Sequence, residues 1–109
     1  MILLVFGTHL SVQKALRALG RNTDFFVVSD LHGLNEYAMK RYSEGKALVL
    51  SLDGSSWQLK RARKIVDEAK AKGIDLVLET LYWKGFHEFV NDVDVLYVNG
   101  RFFRPEVIP

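Results

Sequence analysis

Three histidines and three carboxylates stand just past the ends of apolar runs that read as strands. Ile2–Phe6 is followed by Gly7-Thr8-His9, and Phe25–Val28 by Ser29-Asp30-Leu31-His32-Gly33. Ala47–Leu52 is followed by Asp53-Gly54-Ser55-Ser56, and Leu76–Leu78 by Glu79-Thr80, with His87 a little further on. In an open parallel sheet those ends share one edge, which is where ligands bind. Carboxylates and imidazoles gathered there can coordinate a divalent ion or move protons in hydrolysis.

A second kind of chemistry starts from Asp53-Gly54-Ser55-Ser56, which joins a strand directly to a helix. The free N–H groups of a helix start attract anions. Lys60, Arg61, Arg63 and Lys64 lie in the first half of that helix, where they oppose its dipole. A phosphate or a nucleic-acid backbone nearby would explain them. So would a serine cap with Asp53 bonded to the loop, and a solvated basic face partly paired with Asp67 and Glu68. A third cluster, Glu79-Thr80-Leu81-Tyr82-Trp83-Lys84 with Phe86, His87 and Glu88, could stack a base on its aromatic rings. Packing against the sheet edge is the commoner use of such rings.

The elements that must position these residues follow from periodicity. Strands are expected at Ile2–Phe6, Phe25–Val28, Ala47–Leu52, Ile74–Glu79 and Val93–Val98. Helical spacing links Val12, Ala15, Leu16 and Leu19, then Leu34, Tyr37, Ala38 and Tyr42. It is clearest in Leu59, Ala62, Ile65, Val66 and Ala69, a stripe followed by Gly73. Arg63–Asp67, Lys64–Glu68 and Glu68–Lys72 have the spacing of helical ion pairs. Phe86, Phe89 and Val90 mark a short fourth helix. Asn99-Gly100, between Val95–Val98 and Arg101–Phe103, suits a two-residue turn in which both φ angles are positive. The expected fold is α/β, a three-layer Rossmann-like sandwich with four parallel strands plus a C-terminal β-hairpin, forming a single domain over residues 1–109.

Composition sets limits. A chain of 109 residues with 49% apolar residues can bury a core without staples. The absence of cysteine removes disulfides, thiolate metal sites and thiol catalysis together, and with no apolar run near membrane-spanning length it suggests a cytoplasmic protein without a membrane partner. The net charge of +2 is small. The positive charge is nevertheless local, because Trp57–Lys64 holds four basic residues and no acidic one.

Ser29-Asp30-Leu31-His32-Gly33 resembles the first metal-binding stretch of calcineurin-like metallophosphoesterases, whose Asp and His would hold one ion. That family's Gly-Asp and Asn-His pairs are missing here, since Asp53-Gly54 has the reverse order and Asn99 precedes Gly100. Over its first 80 or so residues the chain resembles a degenerate Toprim domain, the metal-dependent module of topoisomerases, primases and small nucleases. Val5-Phe6-Gly7-Thr8 leading into Val12–Leu16 is similar to the family's first strand, turn and helix. His32-Gly33-Leu34-Asn35-Glu36 is similar to its second turn, and Asp53-Gly54-Ser55 leading into Lys60–Asp67 to its Asp-x-Asp turn and basic helix. Phe6 stands where that family has its acid–base glutamate and Ser55 where it has its second aspartate. The resemblance therefore implies phosphate-backbone binding with the usual cleavage lost, and Mg²⁺ or Mn²⁺ as cofactor if any. The chain also resembles a receiver domain, with Asp53 as phosphoacceptor and Thr80 as switch hydroxyl, although Phe6-Gly7 replace its acidic pair.

Three functions follow as expectations. The first is a nucleic-acid-binding module using Ser55, Ser56, Lys60, Arg61 and Lys64, extended by Lys14, Arg17 and Arg21 if their helix lies alongside. The second is a metal-dependent phosphodiesterase with Asp30, His32 and Asp53 as catalytic residues, Asp53 and Asp30 on the metal, and His9 or His87 assisting. The third is a receiver-like or structural module that forms a homodimer through its hairpin.

Overall fold

The computed structural model describes residues 1–107; Ile108 and Pro109, the last two residues of the expected domain, lie outside the described residues. Six strands form one sheet. They are β1 (Ile2–Phe6), β2 (Phe25–Val27), β3 (Ala47–Leu52), β4 (Leu76–Thr80), β5 (Val95–Val98) and β6 (Arg101–Phe103), in the order β2-β3-β4-β1-β5-β6. The four helices are α1 (His9–Ala18), α2 (Glu36–Ser43), α3 (Ser56–Lys72) and α4 (Trp83–Phe89). The α/β sandwich is as expected, and the hairpin β5–β6 places an antiparallel strand at one edge. Its first strand, β5, also runs parallel to β1. Asn99 and Gly100 have φ of 51° and 77°, the left-handed pair that a two-residue turn of this hand requires.

The chain steps from β1 across three positions to β2 and then returns through β3 and β4 toward β5. Right-handed crossovers place helices of opposite travel on opposite faces. Accordingly α1 alone covers one face, with Val12, Ala15 and Leu16 packed on Leu3, Val5, Val49 and Val77. The other face packs Ala38 of α2, the Leu59, Ala62, Ile65, Val66 and Ala69 stripe of α3, and Phe86 and Phe89 of α4 on Leu4, Leu50, Leu78 and Leu96. Lys14 and Arg17 on α1 therefore lie on the opposite side of the sheet from Lys60 on α3, so the condition for a joint basic surface is not met. Among the described residues, no helix is long and apolar enough to cross a membrane.

Asn35 caps α2, its Oδ1 accepting from the Ala38 N–H at 2.9 Å. Glu68 pairs with Lys72 as expected (3.0 Å), but Arg63 pairs with Asp92 (2.9 Å) rather than Asp67. Arg63 also donates to the Glu88 carbonyl and lies over the Phe89 ring, so it ties α3 to α4. Lys64 and Lys60 stay exposed without an ion-pair partner among the described residues.

At the N-terminal edge Asp75 accepts from the Met1 amine (2.7 Å) and Arg21 (2.6 Å), beside a cleft of about 420 Å³. Partial burial pushes its carboxyl up, but the two cations outweigh this and hold it below its ordinary value. A lowered folded pKa means stability that is present above the unfolded value and lost as pH falls through the folded one. The carboxylate is 36% exposed, so solvent screening limits the contribution to about 1 kcal/mol or less. Asp75→Asn should lower the urea midpoint slightly at neutral pH, and the difference from wild type should vanish in strong acid.

Candidate functional site

The strand order reverses beside β1, so the loops leaving β1 and its neighbour β4 part toward opposite faces. That divergence opens a crevice at the carboxyl ends, the usual ligand position in such sheets. The crevice measures about 470 Å³ and is lined by Gly7–Leu10 after β1, Ser51–Asp53 at the end of β3, and Glu79–Tyr82 at the end of β4. Val5, Glu79 and Ser51 are register partners across three strands, all on the α1 face.

Glu79 is only 6% exposed. A carboxylate so far from water needs strong donors. Its Oε1 receives two, since Ser51 Oγ donates to it and His9 Nε2 lies 2.6 Å away. His9 is the first residue of α1, half exposed, with its ring against the edge of Phe25. Glu79 Oε2 is buried without a partner among the described residues. Glu79 and His9 were visible in the sequence as polar residues at strand ends, but their pairing was not. Ser51 was missed, although it is the one hydroxyl interrupting Ala47–Leu52 and shares the period-two face with Val49.

Asp53 also lines the crevice, and its Oδ1 accepts from both the Ser55 N–H (2.8 Å) and Ser55 Oγ (2.7 Å). Ser55 is the N-cap residue of α3 but makes no side-chain bond to the helix. Ser56 Oγ accepts from Lys84 Nζ at 2.7 Å. Both serines at the start of α3 are thus engaged within the chain. Gln58, buried in the first turn, accepts from the Asp53 N–H and donates to the Ser51 carbonyl, fixing α3 to the end of β3. Thr80 is buried, accepts from the Tyr82 N–H at 3.0 Å and shares its proton between the Leu52 and Tyr82 carbonyls, so it closes the β4–α4 turn.

Asp30 and His32 follow β2, half-buried and exposed respectively, and are not part of the crevice lining. His87 is exposed on α4 beside Trp83. Among the described residues no three His, Asp or Glu side chains form a group suited to a metal ion.

The aromatic cluster divides. Phe86 is buried, packed edge-on to Phe6, but Trp57, Tyr82 and Trp83 are 57%, 55% and 67% exposed. Trp57 opens α3, and Tyr82 and Trp83 open α4. The Lys84–Ser56 hydrogen bond joins the starts of α4 and α3, and Tyr82 sits over Gly54, where an added Cβ would come within 3.3 Å of it. Trp83 stacks on Phe86 with its outer face open, and the Arg61 guanidinium lies 4.5 Å from the Trp57 ring centre. Trp57, Lys60, Arg61 and Lys64 follow helical spacing and so share one face of α3. No family model, curated protein or solved structure matches the chain.

Proposed function

We propose that the protein binds single-stranded nucleic acid across the carboxyl edge of its sheet, with bases stacked on Trp57, Tyr82 and Trp83 and phosphates on Lys60, Arg61 and Lys64. The observation that carries this reading is the exposure of three large rings at the adjoining starts of α3 and α4, with Lys60 and Lys64 exposed on α3. Stacking platforms flanked by basic residues are how single strands are held without sequence readout. The reading keeps the backbone-binding part of the Toprim-like expectation without requiring its cleavage chemistry.

Fluorescence anisotropy of labelled single strands across a salt series is the test. Affinity should fall with salt, and replacing Lys60, Arg61 and Lys64 together by glutamine should reduce the magnitude of the logarithmic slope by about 2. An unchanged slope would remove these cations from the interface.

The phosphodiesterase reading is favoured by one observation, the buried carboxylate holding His9 at the crevice. Its mark would be cleavage of the labelled strand, with or without Mg²⁺ or Mn²⁺, abolished in His9→Ala. Pairing of two copies is favoured by the edge strand β6, where Phe102 and Phe103 are each 37% exposed, and would appear as a concentration-dependent mass in sedimentation.

A further inference from the structure

Glu79 Oε2 is a buried acceptor without a donor among the described residues. Such groups are rare in folded proteins, because a missing donor leaves the desolvation of the oxygen uncompensated. Glu79 lines a crevice whose other walls include Leu10, Leu81 and Tyr82, each more than half exposed. A mostly apolar cleft of about 470 Å³ with carboxylate acceptors in its lining has the size and character of a site for a planar ring carrying an N–H donor. Asp53 lines the same cleft, so two carboxylates keep phosphate out of it and leave phosphates to the cationic face of α3.

We propose that this crevice is a base pocket in which Glu79 reads the exocyclic amino group of a nucleobase; this rests on the nucleic-acid reading above. Cytosine, adenine and guanine carry such an amino group, and glutamate accepting from cytosine N4 is an established pairing. Uracil and thymine present a carbonyl oxygen instead and meet the carboxylate acceptor to acceptor. His9 is the movable wall, because it is half exposed and its ring is held by the single contact to Oε1 and the edge of Phe25. When it swings aside to admit the base, Ser51 still holds Oε1, so the oxygen left for the ligand is Oε2.

The test compares short homopolymers of cytidine and uridine, two pyrimidines that differ at this group, by anisotropy on the whole protein. Wild type should bind the cytidine strand roughly fivefold to tenfold tighter. In Glu79→Gln, Ser51 holds the carboxamide oxygen at the Oε1 position and places the NH₂ where Oε2 stood, so the preference should disappear or invert toward uridine. Equal wild-type affinity for the two strands overturns the base pocket and leaves the nucleic-acid reading standing. A cytidine preference that survives Glu79→Gln also overturns the pocket, and failure of both strands to bind overturns both inferences.

Discussion

Replacing Trp57 and Trp83 together by alanine is expected to weaken single-strand binding by about 2–4 kcal/mol, roughly 30- to 1000-fold. Each ring offers a face to one base, and stacking is worth about 1–3 kcal/mol per base. The two positions come from different helices, α3 and α4, so each change should remove its own base contact and the losses should nearly add. Because both rings are more than half exposed, stability should change little, by about 1 kcal/mol or less for the pair. A large loss of affinity at an unchanged urea midpoint is therefore the signature expected. These are also the only two tryptophans in the chain, so quenching of intrinsic fluorescence on titration reports the same contact in the wild type. Affinity that survives the double change would place any nucleic acid elsewhere on the molecule.

Phe89→Ala is expected to cost about 3–5 kcal/mol of folding stability, a large part of what a domain of this size has. Phe89 is fully buried in the larger core, and it carries the Arg63 guanidinium over its ring. Truncation would open a cavity beneath α4 and loosen the Arg63 bridge to Asp92 and the Glu88 carbonyl at once. Since α4 supplies Trp83, its loosening should also raise the mobility of that ring before the protein unfolds globally. A urea titration followed by circular dichroism, with tryptophan fluorescence in parallel, checks both effects. Coincident transitions and a midpoint close to wild type would show that the core closes around the gap.

Much of the fold was legible because its signals are local. Ala47–Leu52 and the Asn99-Gly100 hairpin appear where the alternation and turn chemistry put them. The α3 stripe is buried as its spacing implies. Position in the sheet was not legible, because strand order depends on contacts far apart in sequence. That order decides that Glu79 stands beside Val5 and Ser51, and that α1 delivers His9 to it. The site was therefore visible as scattered polar residues and not as a trio. Tyr82 and Trp83 show the same limit. Their composition fits core or surface equally, and only the sharp β4–α4 turn, closed by Thr80, turns them outward while Phe86 turns in.

The place of β1 has a consequence for how the chain reaches this structure. β1 lies between β4 and β5, and its pairings run from Leu3 to Val77 and Val95. β1 is thus paired on both sides only after β5, far along the chain, has been made. Closing loops of this length carries a large entropic cost before any contact repays it, and parallel sheets built this way fold slowly. Until the hairpin arrives, Ile2–Val5 is an apolar strand with one open edge, the kind of segment that nascent chains lose to aggregation. Fragments ending before Val95 should for that reason be insoluble rather than partly folded.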